Sequence, residues 1–217
     1  MTAIKCEFTQ NGTAEDRANL NKVLTGTTGD GKTLDALMAH ASTTVAGLQR
    51  YHVLALRLYT TSSYRRLNDP LRTTPPTRPN PFPATVYFIN EGIKKLRHVE
   101  AKTAAGMQPR KLYRGVSGLS LTGDFMAKGG TEFACMSTSA SEATAANFAV
   151  AGANPMLFKY DTKNCIGRGA DIAFLSVYEQ EAEVLFPPLT YLRFKSKQKE
   201  QIAGTEVLVV SVDTHIA

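Results

Sequence analysis

Two carboxylates with chemical potential stand in the stretch Tyr178-Glu-Gln-Glu-Ala-Glu-Val-Leu-Phe-Pro-Pro188. Glu181 and Glu183 lie two apart at the edge of the apolar run Val184–Phe186, which reads as a short buried strand stopped by Pro187 and Pro188. On a strand, alternate side chains share a face, so the two carboxylates would point the same way, roughly 7 Å apart. Like charges held that close repel, a cost a chain bears where something uses them. Paired carboxylates suit glycosidic chemistry, one stabilising a sugar cation and the other handling a proton. The plainer reading is a solvated acidic entrance to a strand. A second stretch, Gly26-Thr-Thr-Gly-Asp-Gly31-Lys32-Thr33, matches the phosphate-loop pattern G-x-x-x-x-G-K-T in full. A working phosphate loop follows a buried strand, whereas Asn19–Thr25 is polar and has helical spacing. The alternative is a Gly-rich turn between two helices, with Thr33 capping the second.

The elements that must position these groups change character along the chain. The first half is helical: Leu20, Val23 and Leu24 share a helical spacing, Leu34, Leu37, Met38, Ala41, Val45 and Leu48 form one stripe, and Tyr51–Leu58 and Ser62–Leu67 continue it. Pro70–Pro83 holds six of the ten prolines and reads as an extended surface connector, neither helix nor central strand. Val86, Ile89, Ile93 and Leu96 mark another amphipathic helix. From about residue 110 the pattern becomes strands: Leu112–Val116, Phe133–Ser137, Met156–Tyr160, Ile172–Leu175, Val184–Phe186, Tyr191–Phe194 and Val207–Val212. One helix, around Ser141–Ala149, interrupts them, with Ala145, Phe148 and Ala149 on one side. Helices first and strands after predict an α+β fold. The expected organisation is a single domain over 1–217, mainly helical in 1–105 and β-rich in 106–217.

Composition narrows the classes. With 43% hydrophobic and 20% charged residues the 217-residue chain has the makings of an ordinary globular core. No run approaches a membrane span, and the first residues lack a signal peptide's apolar stretch. The expectation is a cytoplasmic or intracellular protein, or a secreted effector trimmed of its targeting segment. A net charge of +6 would attract anionic small molecules, but the basic residues are scattered and Trp is absent, which argues against nucleic acid. The densest basic patch, Arg193–Lys199, reads as a solvated strand end and loop. Cys6, Cys135 and Cys165 lack the spacing of a zinc site, and Cys135 reads as a small core residue.

Three short signatures occur in order in the β-rich half: Leu112-Tyr113-Arg114-Gly115, then Ser137-Thr138-Ser139, then Glu181-Ala182-Glu183-Val184-Leu185. Taken singly, Arg114 is a snorkelling strand-end residue and Ser139 or Ser141 a helix cap. Together they are more specific. The sequence resembles the arginine–serine–glutamate class of mono-ADP-ribosyltransferases, that of clostridial actin-modifying toxins and vertebrate ecto-enzymes. The resemblance covers most of the chain, includes Leu58-Tyr59-Thr60, Tyr64, Leu67-Asn68 and Leu71-Arg72, and is strongest over 110–190. The poly-ADP-ribose class would carry a His at the place of Arg114, and none of His40, His52, His98 or His215 lies in such a strand.

The resemblance implies an ADP-ribosyltransferase-like fold, with N-terminal helices beside two small crossed sheets and an NAD cleft. It implies transfer of ADP-ribose from NAD to arginine on a target protein, with NAD consumed, nicotinamide released and no metal. Arg114 would hold the pyrophosphate, and Gly115 would let the backbone approach the nicotinamide amide. Ser137 would orient Glu183 and touch the nicotinamide ribose, with Thr138 and Ser139 supporting the site. Phe148 would lie against that ribose, its alternative being helix core. Glu183 would stabilise the oxocarbenium ion, Glu181 would receive the incoming guanidinium, and Tyr178 would meet the target protein. The second basic residue such enzymes often carry after the Phe148 helix is missing, and Lys159 or Arg168 could take its place. The paired disulfides of the vertebrate branch are not matched. The rivals are an NAD glycohydrolase on the same fold, a nucleotide-binding module built on Gly26–Thr33, and an inactive interaction module.

Overall fold

The computed structural model describes residues 1–73 and 75–216; Thr74 of the proline-rich stretch and the last residue, Ala217, lie outside the described residues. Contacts divide the chain into two units, Met1–Val99 with Ala170–Gln180, and Glu100–Gly169 with Glu181–Ala217.

The first unit is helical: α1 (Thr2–Asn11), α2 (Ala14–Thr25), α3 (Leu34–Ala39), α4 (Ala41–Val45), α5 (Arg50–Tyr59), α6 (Tyr64–Arg72) and α7 (Pro83–Glu100). Its centre is α5, buried from His52 to Tyr59 and in contact with α2, α3 and α6. Leu20, Val23, Leu34 and Leu37 are buried, as are Ile89 and Ile93 of α7. A Cβ on Gly92 would lie 2.8 Å from Leu56 Cδ1, so a larger residue there would have to push the Leu56 side chain aside. The N-terminus of α7 is capped from α1: the Glu7 carboxylate accepts from the amides of Ala84 and Thr85 at 2.6 and 2.9 Å, a favourable charge at a helix N-terminus.

Three expectations for this region change. The stripe over Leu34–Leu48 is broken into two short helices at His40, and Val45 points to solvent at 68% exposure. Pro70 lies inside α6, where it supplies no amide to the helix ladder, and the helix ends two residues later at Arg72. The connector is not wholly on the surface either. Phe82 is fully buried against Phe8, with ring centroids 5.2 Å apart, and Pro83 opens α7.

The second unit carries β1 (Arg110–Val116), α8 (Gly123–Lys128), β2 (Gly130–Glu132), β3 (Met136–Ser139), α9 (Glu142–Val150) and β4 (Met156–Thr162). The two-residue β5 (Ala170–Asp171) belongs to the first unit, and β6 (Glu183–Phe186), β7 (Thr190–Ile202) and β8 (Thr205–His215) complete the second. Within this unit the strands run in the order β2-β7-β8-β4-β1-β3-β6, all antiparallel except β4 with β8. The pair Tyr113↔Ser139 registers β1 on β3 and joins a large half to the short β3–β6 half. The two sheets expected from the sequence are therefore halves of one hydrogen-bonded order.

Alternation sorts the apolar residues to two faces. Leu112, Met136, Tyr160, Val184, Phe186, Val210 and Val212 share one cluster, while Leu157, Val207 and Val209 pack against Ala145 and Ala149 of α9. Strand ends differ from expectation in places. Ala173–Leu175 is a 3₁₀ turn, so Ile172–Leu175 is no strand. Phe133 precedes β3, which begins at Met136. The basic patch Arg193–Lys199 lies inside β7, paired with β8 across an Ala203–Gly204 turn in which both residues have positive φ. Cys135 is buried, as expected of a core residue, and no disulfide joins the three cysteines.

Candidate active site

The strand pair β3–β6 is the base of the candidate site. Its register sets Ser137 against Leu185, Thr138 against Val184 and Ser139 against Glu183. Met136, Val184 and Phe186 fill the core on one face, which turns Ser137, Ser139 and Glu183 to the other. Glu183 is only 5% exposed. Burial pushes its carboxyl up to about 7, opposed by a hydrogen bond from Ser137 and helped by the charge of Glu181. This is an acid poised to be half ionised near neutral pH, the kind of group that burial tunes at reactive sites.

Glu181 is not on the strand with it. Glu181 ends the 3₁₀ turn Glu179–Glu181, and Ala182, at φ +46°, reverses the backbone before β6 begins. The alternating geometry expected for the pair is thus replaced by a kink. The turn is fixed from β3: Ser139 Oγ donates to the Glu181 carbonyl at 2.5 Å, and the Ala140 amide donates to the Ala182 carbonyl at 3.1 Å. Burial raises the Glu181 carboxyl as well. Thr138 is spent on structure, its hydroxyl bonded to the Val184 carbonyl at 2.7 Å. Ser141 caps α9 by accepting from the Thr144 amide, while Ser139 Oγ accepts from the Ser141 amide.

Arg114 comes from β1. Its guanidinium lies 3.5 Å from the Ser137 carbonyl and 4.0 Å from the Glu132 carboxylate, both long contacts, with the side chain 23% exposed. Gly115 has a structural reason to be glycine: a Cβ there would sit 1.9 Å from the Ala145 carbonyl oxygen, where α9 packs on β1. Phe148 is 54% exposed while Ala145, Ala146 and Ala149 of the same helix are buried, which rules out the helix-core alternative. Arg114, Ser137, Ser139, Glu181 and Glu183 are therefore linked by contacts within one unit. Tyr178 belongs to the other unit, half exposed.

Neither stand-in for a second phosphate-binding cation is well placed to serve. Arg168, 1% exposed, bonds Glu100 at 2.7 Å and the carbonyls of Gly106 and Gln108. Lys159 pairs with Glu142 at 3.0 Å and Glu200 at 3.4 Å. Burial opposes its charge, but those partners outweigh burial and hold its ammonium above the ordinary range. Sequence reasoning missed Glu132, the carboxylate beside Arg114; it lies in a three-residue strand with no motif around it.

The phosphate-loop match is resolved by its surroundings. A helix, α2, precedes it, Gly26 ends that helix in the left-handed conformation, and Thr33 caps α3 by accepting from the Ala36 amide. This is the Gly-rich turn between helices. Among the described residues no group of three or more His, Cys, Asp or Glu could hold a metal ion, and no helix is long and apolar enough to cross a membrane.

The profile of one protein family, described as NAD:arginine ADP-ribosyltransferase, matches residues 12–215. Comparison with curated protein sequences gave no match. Among solved structures, the ADP-ribosyltransferase HopU1 of Pseudomonas syringae pv. tomato superposes with a TM-score of 0.64 at 19% identity, over 92% of this chain and 97% of that one. The eukaryotic mono-ADP-ribosyltransferase ART2.2 gives 0.66 at 18% identity, over 100% and 84%. Exoenzyme S of Pseudomonas aeruginosa, solved with human 14-3-3 protein beta and bound to carba-NAD, gives 0.55 at 20%, over 91% and 88%. At these identities the structures establish a shared fold.

Proposed function

We propose, from the premise that this chain belongs to the NAD:arginine ADP-ribosyltransferase family, that it transfers ADP-ribose from NAD to arginine side chains of a target protein and releases nicotinamide. The observation that carries the reading is the buried Glu183 carboxyl, hydrogen-bonded by Ser137 and pushed up to about 7. A positive charge developing on the ribose carbon beside it would draw it into the ionised form, so the stabilisation grows as the bond to nicotinamide breaks. Arg114 fits a diphosphate: its guanidinium is partly exposed and held only by long contacts, leaving its planar fork to grip two oxygens. Ser137 orients Glu183, while Thr138 and Ser139 hold the strand pair and the kink that present it. Gly115 seats α9, from which the exposed Phe148 offers a ring for the ribose of NAD.

Glu181 takes the acceptor. A guanidinium stays protonated until a base removes its proton as the new bond forms, and the part-buried Glu181 carboxylate is the group for that. Tyr178 is the exposed aromatic that meets the target protein. Incubation with NAD and agmatine, reading nicotinamide and ADP-ribosyl-agmatine in the same tube, tests the reading. Nicotinamide released in step with labelled agmatine is the expected result. Release with no labelled agmatine or protein would make the chain an NAD glycohydrolase instead.

A further inference from the structure

The stretch before Glu181 is fastened to the helical unit along its length. Arg57 of α5, 1% exposed, donates to the Leu175 carbonyl at 2.8 Å, to the Thr28 hydroxyl at 2.8 Å and to the Asp30 carboxylate at 2.6 Å. One buried guanidinium thereby joins the Gly26–Thr33 loop to the 3₁₀ turn Ala173–Leu175. Burial would raise the Asp30 carboxyl, but hydrogen bonds from Arg57 and Thr28 outweigh burial and hold it below its ordinary value. Two residues further on, the Val177 amide donates to the Thr60 hydroxyl at 3.1 Å. Phe174 stacks on His40, with centroids 4.5 Å apart and rings 15° from parallel. Lys32, the lysine of the phosphate-loop match, pairs with Glu179 at 2.6 Å. Between these fastenings Tyr178 stands exposed, and Glu181 and Glu183 follow along the chain.

We propose that the Gly26–Thr33 loop is a clamp on the segment Ser176–Gln180, closed by Arg57 and Lys32, and that it sets how well the enzyme uses an arginine acceptor relative to water. The proposal rests on the reading that Tyr178 and Glu181 serve the acceptor. A segment ordered beforehand does not lose its freedom when the target arrives, so the acceptor is held more tightly. Water needs no such platform, and nicotinamide release does not depend on it. Lys32 and Arg57 are positioning residues in this account.

The test uses three variants of the full chain: Lys32→Glu, Glu179→Lys, and the double exchange of both. Both side chains are part-exposed, at 30% and 63%, so the fold tolerates the changes. Expected for each single variant is nicotinamide release within about twofold of the parent, a Michaelis constant for agmatine raised roughly threefold to fivefold, and faster amide exchange over Val177–Gln180. The double exchange should restore both the constant and the protection. An agmatine constant and exchange rates unchanged in all three overturn the clamp, as does a loss that strikes release and labelling equally. Should the parent label no agmatine, the proposed function fails. The clamp itself is then decided by exchange: protection lost in the singles and restored in the double supports it, and unaltered protection overturns it.

Discussion

Two regions of this chain carry polar motifs of similar sequence appeal, and the structure treats them oppositely. In the Gly26–Thr33 loop the polar side chains with motif value are engaged locally: Thr33 on a helix end, Asp30 and Thr28 on Arg57, Lys32 on Glu179. At the β3–β6 pair a carboxylate is 5% exposed with a hydroxyl, not a cation, as its hydrogen-bond partner, and the nearby Arg114 makes only contacts of 3.5 and 4.0 Å. Burying an acid without a close cation costs stability, and a chain keeps such an arrangement where chemistry repays it. The distinction between motif and site here is whether the polar groups are satisfied by their own fold.

The strongest way to break this contrast is Glu183→Gln. Turnover of NAD should fall by roughly 10²–10³-fold, the size expected for one charged contact made mainly in the transition state, with the fold retained. A variant that turns over NAD at half the parent rate would return Glu183 to an ordinary buried acid. The same substitution sharpens the electrostatic side. Glu183 ionises near 4.5 in the unfolded chain and at about 7 when folded, so the folded state holds the proton more tightly. The stability tied to that proton is complete below about pH 4.5 and is lost as the pH rises through 7, amounting to about 3 kcal/mol. Thermal melts from pH 4.5 to 8 should therefore show a decline in the parent that is absent from Glu183→Gln, and parallel curves would contradict the burial argument.

Next in size is Arg114→Lys. A lysine keeps the charge but not the planar fork, so the Michaelis constant for NAD should rise about tenfold. An unchanged constant would make Arg114 a strand-end residue. The smallest effect belongs to the other region: Lys32→Ala should leave both nicotinamide release and the Michaelis constant for NAD within about twofold, the reach of a part-exposed ion pair. A tenfold loss of NAD turnover would give the Gly-rich loop the nucleotide role that its surroundings deny it.

The helical first half and β-rich second half were legible, as were β6 and its proline stop, because hydrophobic period and breaker residues are local signals. The kink at Ala182 was not: alanine gives no hint of a positive φ, which here follows from hydrogen bonds to Ser139 and Ala140 forty residues away in sequence. The length of β7 was hidden because both its Lys-Ser-Lys run and its neighbours are exposed, so no apolar alternation marked it; the Ala203–Gly204 turn before the valines of β8 was the available signal. Gly115 was read for a ligand, and its packing against α9, which also requires a glycine, became visible only in the fold. Of the candidate site, the residue types came from the sequence, while Glu132 beside Arg114 and the outward turn of Phe148 required the fold.

The central claim is a division of labour, with Glu183 breaking the bond to nicotinamide and Glu181 receiving the arginine. Its most direct test is Glu181→Gln assayed with NAD and agmatine in one reaction, following nicotinamide and ADP-ribosyl-agmatine together. The account predicts that nicotinamide is still released, with water taking the ribosyl group, while agmatine labelling falls far below it. A parallel fall in both products would place Glu181 at the cleavage step and contradict the account.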